Sequence, residues 1–89
     1  MIIDLKEIHT EIELHNLLAE KLHFPSFYGK NWDALWDTIT GLVELPAEIT
    51  FTGTTELRSK LPESLSILEK IFNEMQKEYP SQSSLVIWQ

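Results

Sequence analysis

The sequence predicts an α/β fold: a small three-stranded parallel sheet packed by about four helices. Short runs of strand length stand near the start, the middle and the end of the chain, and the segments between them carry apolar residues at helical spacing. Strand, helices, strand, helices, strand is the order in which crossover connections make neighbouring strands parallel.

Met1 to Leu5 is apolar, contains Ile2 and Ile3, and reads as the first strand. Thr10-Glu11-Ile12-Glu13 has the form of a capping box, with Thr at the N-cap and Glu three positions on. The helix it opens carries Leu14, Leu17, Leu18 and Leu22 on one side and stops near His23, because Pro25 disfavours helical geometry in the residue before it. Residues 23 to 30 form a loop. Asn31 is a good N-cap for a second helix through Thr40, and Gly41 is placed to end it in a left-handed conformation. Ala47 to Thr52 alternates apolar and polar residues, follows Pro46 and reads as the second strand, closed by Gly53. Thr54 or Thr55 is a candidate cap for a short third helix through Leu61, and Pro62-Glu63 opens a longer one with Leu65, Leu68, Ile71, Phe72 and Met75 on one face. Pro80 marks its end. Ser84 to Trp88 is nearly continuous in apolar residues, the pattern of a strand covered on both sides.

Composition narrows the function. The chain has 89 residues, 43% of them apolar and 24% charged, with 3 Gly and 4 Pro, which is the balance of a folded globular domain. A length this short allows one core, so residues 1–89 read as one domain. Zero cysteines remove disulfides, thiolate metal sites and cysteine nucleophiles, and together with the absence of a signal-like or membrane-spanning run they make the cytoplasm the expected compartment. Seven basic against 14 acidic residues give a net charge of −7, which disfavours phosphate contacts with nucleic acid or anionic lipid and suits a basic protein partner. His9, His15 and His23 have no metal-ligand spacing and read as surface or packing residues; no phosphate loop, nucleophile elbow or HExxH is present.

The chemistry concentrates between Phe27 and Gly41. At about 100° per residue, Trp32, Leu35, Trp36 and Ile39 share one arc of the second helix, and Asp33, Asp37 and Thr40 cluster within about 60° on the neighbouring arc. Trp32, Leu35 and Ile39, like Trp88, read as core, and Trp36 as either core or surface. The plain reading makes Asp33 a dipole partner at the helix start and Asp37 a solvated charge. Yet like charges at i and i+4 repel by a few tenths of a kcal/mol, a cost that a cationic partner would reverse.

Tyr28-Gly29, Asn31, Asp33-Ala34-Leu35-Trp36-Asp37 and Thr40-Gly41 follow the order and spacing of the barstar family, the small cytoplasmic inhibitors of barnase-type extracellular ribonucleases, which this chain resembles over nearly its whole length. The resemblance implies a barstar-like fold whose loop and second helix plug the ribonuclease active site. By position, Asp33 and Asp37 look like the family's two central acidic contacts, Phe27 and Tyr28 like its paired loop aromatics, and Gly29 and Trp36 like neighbouring contacts. Leu42 stands where a tryptophan borders the surface, and Glu74, two places after Phe72, is similar to the acid that completes it. Phe27 replaces a tyrosine, Lys30 an acid, Thr38 a cysteine and Trp32 an aliphatic residue. The binding set so implied is Phe27, Tyr28, Gly29, Asn31, Asp33, Trp36, Asp37, Thr40, Gly41, Leu42 and Glu74.

The expected function is inhibition of a basic ribonuclease or nuclease toxin, as an immunity protein or antitoxin. A free monomer would bind one-to-one, without a cofactor, metal or enzymatic activity, through carboxylates that mimic RNA phosphates. An acidic nucleic-acid mimic or regulatory module for another basic protein would use the same residues. A carboxylate or hard-cation site of an enzyme, built from Asp33, Asp37 and Glu74, would lack a nearby nucleophile and oxyanion donor.

Overall fold

The structure is a computed structural model that describes residues 1–89. Its elements are β1 (Ile2–Asp4), α1 (Glu11–Leu22), α2 (Trp32–Gly41), β2 (Glu48–Thr52), α3 (Thr54–Lys60), α4 (Pro62–Glu78) and β3 (Leu85–Trp88). The strands form one parallel sheet in the order β1-β2-β3, as the order of elements in the sequence predicts. No helix is long and apolar enough to cross a membrane.

Register explains where the core lies. Ile3 pairs with Phe51 and Phe51 with Trp88, so one row of side chains crosses all three strands. Phe51 is fully buried, stacks on Trp88 with ring centroids 4.7 Å apart, and meets Phe72 of α4 edge-on at 5.7 Å. Leu14, Leu18, Leu35, Ile39, Leu65 and Leu68 close the same core from α1, α2 and α4.

β3 departs from the expectation of a strand covered on both sides. It is an edge strand, with Leu85 61% exposed and Val86, Ile87 and Trp88 only half-buried. Ile2, Thr50 and Ile87 line up in register on the face opposite Phe51, where Ile2 is 67% exposed, so that face is open in part to solvent. The apolar run at 85–88 therefore serves one covered face and one open one.

The helix ends follow local chemistry, with two corrections. Thr10 does cap α1 in a reciprocal box with Glu13: the Glu13 N–H donates to Thr10 Oγ1 at 3.2 Å, and the Thr10 N–H donates to Glu13 Oε1 at 3.1 Å. Gly41, however, is not the left-handed terminator of α2. The helix runs through it and ends at Leu42 in ordinary right-handed geometry, and the N–H groups of Leu42 and Val43 both donate to the Thr38 carbonyl. Nor does Thr54 or Thr55 cap α3. Gly53 does, at φ 73°, because the chain turns there against β1: an added Cβ would lie 2.6 Å from the Lys6 nitrogen and 2.9 Å from Asp4 Oδ1. Only glycine meets both the left-handed backbone and that approach.

Candidate partner-binding surface

Loop 23–31 and α2 carry most of the residues singled out in the sequence, and the loop is built to deliver the helix. His23 closes α1 in the left-handed region at φ 57°, and the Phe24 N–H donates to the Ala19 carbonyl at 3.0 Å. A tight turn follows, in which the Tyr28 N–H donates to the Pro25 carbonyl. Asn31 then caps α2: its Oδ1 accepts from the Ala34 N–H at 2.7 Å and its Nδ2 donates to the Gly29 carbonyl at 3.3 Å. The side chain of Asn31 thus ties loop to helix. Replacing Asn31 with Ala removes both bonds, and chemical denaturation is expected to show a loss of about 1 kcal/mol; a change below about 0.2 kcal/mol would contradict that role.

The two loop aromatics part ways. Phe27 is 74% exposed and offers its ring outward, whereas Tyr28 is 7% exposed and turns its ring inward. Its ring packs edge-on against Phe24 at 4.9 Å and its hydroxyl lies 2.6 Å from Nδ1 of His15, itself fully buried in α1. Burial of the phenol supports the loop from beneath and pushes the Tyr28 pKa above its ordinary value. The His15 ring also lies 4.6 Å from the Trp32 indole, whose Nε1 donates to Glu11 Oε1 at 2.9 Å; the same oxygen accepts from Ser64 Oγ of α4 at 3.1 Å.

α2 sends most of the remaining residues into two hollows. Asp33, Trp36 and Glu74 come together in an open groove of about 430 Å³ between α2 and α4, floored by Ile67 and Ile71. Thr40, Gly41 and Leu42 line a second hollow of about 760 Å³ at the far end of α2, facing Ser81 to Ser83. Leu42 is 55% exposed there. The Thr40 hydroxyl donates to the Trp36 carbonyl of its own helix at 2.6 Å, so its hydrogen is already engaged. Asp37 is exposed and borders neither hollow.

Most acids of the chain have no cationic partner, and those of this surface are among them. The one ion pair of the protein is Arg58–Glu69, at 3.2 Å and away from this surface. Asp33, Asp37 and Glu74 have neither an ion pair nor a hydrogen bond from any side chain, although 14 acidic residues share the chain with 7 basic ones. No group of three His, Cys, Asp or Glu side chains converges on a point where a metal ion could sit. The surface can therefore do two things: accept charge-assisted hydrogen bonds from cations and bury exposed apolar area on Phe27, Leu42 and the groove floor.

Lys70 and Glu78 also line the groove, and Tyr79 lies 6.2 Å from Trp36, although sequence reasoning picked out none of the three. His15 had a signal of its own. It stands three and seven residues before Leu18 and Leu22, which places it on the buried stripe of α1.

Comparison with known proteins identifies the family. A protein of Bacillus subtilis (strain 168) named "Putative ribonuclease inhibitor YrdF" is 35% identical over 83 residues, covering 89% of this chain and 91% of that protein. The sequence model of the family described as Barstar (barnase inhibitor) matches residues 1–88. With four helices on a three-stranded parallel sheet and a family match running the length of the fold, the chain belongs to the barstar family.

Proposed function

We propose that the protein inhibits a barnase-type ribonuclease by placing the acidic side of α2 in the enzyme's basic active site, one-to-one and without a cofactor. The observation that carries this reading is the pair Asp33 and Asp37: one turn apart, exposed, and without a partner anywhere in the chain. A ribonuclease holds RNA phosphates with Lys, Arg and His side chains, and carboxylates fixed on a helix accept the same charge-assisted, often bidentate hydrogen bonds. Phe27 and the groove beside Trp36 supply the apolar contact around them, and Glu74 adds a third negative charge from α4. The helix is rigid before binding because Asn31 caps it and Leu35 and Ile39 anchor it in the core, so little ordering remains to oppose association. The role is that of an immunity protein or antitoxin acting in the cytoplasm, with a free monomer as the active form.

Opposite charge also speeds encounter. A net charge of −7 draws a basic enzyme, and screening shortens its reach from about 14 Å near 50 mM salt to about 4 Å near 500 mM. In stopped-flow mixing with barnase, the association rate is expected to fall at least about tenfold over that range. A rate independent of salt would contradict electrostatic docking through α2.

A further inference from the structure

We propose that His15 is a positioning residue for the candidate binding loop: uncharged, it holds Tyr28 and Trp32 in place, and on taking up a proton it releases them. The consequence for binding rests on the inhibitor reading above; the effect on the loop does not.

The geometry offers a second proton on the ring no acceptor without breaking an existing bond. His15 is fully buried, its Nδ1 lies 2.6 Å from the Tyr28 hydroxyl, and its Nε2 has no hydrogen-bond partner. A neutral phenol donating to an unprotonated Nδ1 leaves one buried polar group unpartnered, the Nε2–H, whereas the reverse arrangement leaves two, the phenol hydrogen and a bare Nε2. A proton added at Nδ1 forces the phenol to turn from donor to acceptor, strands its hydrogen, and places a cation next to an Nε2–H that still has nowhere to donate.

The titratable neighbours of the ring are few. Tyr28 comes from the loop, and Glu11 lies one turn earlier on α1; α2 contributes the neutral indole of Trp32, and α4 reaches the cluster through the Ser64 hydroxyl. Glu11 is thus the one carboxylate on hand for an imidazolium, and its Oε1 already accepts from both Trp32 and Ser64. If Glu11 turns to His15, the first residue of α2 loses its tie to α1; if it stays, the cation remains buried and unpaired. Either course loosens the segment from Tyr28 to Trp32, which joins exposed Phe27 to Asp33.

Burial lowers the His15 pKa below the ordinary histidine value, with the Glu11 charge pulling the other way. The folded protein accordingly holds the proton less tightly than the unfolded chain. The stability this supplies is complete above the unfolded value of about 6.5 and drains away as the pH falls from there toward the lower folded value. A partner that needs the loop in place depresses the folded value further, so affinity falls as the pH drops below the free folded value, a lower window than the one over which stability is lost.

The test has two arms. In the first, the free protein is titrated from about pH 7.5 to about pH 5 while the His15 ring and the Phe27, Gly29 and Asn31 amides are followed by NMR. The expected result is a common midpoint below about 6.5, with flat amide profiles in His15→Gln. Amides that stay fixed while the ring titrates, or that move alike in His15→Gln, would overturn the proposal, as would a ring that stays neutral throughout. Tyr28→Phe, which keeps the titrating ring and removes its link to the loop, covers the case in which His15→Gln does not fold; its amides are expected to lose the ring's midpoint, and retention of that midpoint would overturn the proposal. In the second arm, the affinity for barnase is expected to fall about tenfold more over this range in the wild type than in His15→Gln, since ionisations of barnase itself are common to both. Equal losses would overturn the effect on binding. Loop amides that follow His15 in a protein that binds barnase at no pH would mean that the inhibitor reading fails while the positioning role stands.

Discussion

Asp37→Ala is expected to weaken binding to a barnase-type ribonuclease by about 2–5 kcal/mol, which is a rise of roughly 30-fold to 5,000-fold in Kd. The size comes from what the substitution leaves behind. A phosphate-site cation of the enzyme, desolvated by the docked helix, would lose its counter-charge and remain buried without one, and that penalty exceeds the net worth of the pair. Asp33→Ala is expected to follow with a smaller loss, because Asp33 lines the groove beside Trp36 and Glu74 whereas Asp37 stands exposed outside it. Stability separates binding from folding. Removing Asp37 relieves a repulsion of a few tenths of a kcal/mol with Asp33, so the free variant should be as stable as the wild type or slightly more so. Calorimetric titrations in which both variants stay within about 0.5 kcal/mol of the wild type would contradict the assignment of this surface.

The largest expected effect on the fold lies in the core. Phe51→Ala is expected to cost about 3–5 kcal/mol, a large share of the total stability of a domain this small. Phe51 is fully buried on the central strand, with Trp88 stacked against its ring and Phe72 edge-on to it, so truncation strands two aromatic faces at once. Neither neighbour can collapse freely into the space: Trp88 is fixed by strand register, and Phe72 by a helix of 17 residues. Urea unfolding followed by circular dichroism measures the loss, and a value under about 1 kcal/mol would show that the core relaxes around the gap. The folded fraction of this variant should bind as the wild type does, since no side chain of the candidate surface touches Phe51 in the aromatic cluster.

What was legible in the sequence followed short-range rules. The capping box at Thr10, the cap at Asn31, Pro62 at the start of α4 and the four-residue spacing of Leu14, Leu18 and Leu22 each act within one or two turns, so they can be read without knowing the fold. The acids of α2 were legible for the same reason: helical spacing alone puts Asp33 and Asp37 on one side. Features that depend on distant chain were not. Gly53 caps α3 because residues 4–6 pass close beside it, which no reading of 53–55 contains. The inward turn of Tyr28 depends on His15, 13 residues earlier, and the groove that unites Asp33 with Glu74 depends on α4 lying against α2. A helical wheel makes Glu74 look like any solvated glutamate, and only the family pattern marked it. The edge position of β3 was hidden by its own composition, since Leu85 and Ile87 look like core whether or not anything covers them.

The central claim is that the acidic side of α2 occupies the phosphate-binding site of a ribonuclease. It is tested most directly by titrating the protein into barnase and into related basic nuclease toxins while RNA cleavage is followed, with Asp37→Ala run in parallel. The account predicts that cleavage by at least one of these enzymes ends at one equivalent of wild-type protein and persists at one equivalent of the variant. Full cleavage across the panel at molar excess, or inhibition that Asp37→Ala leaves intact, would contradict it.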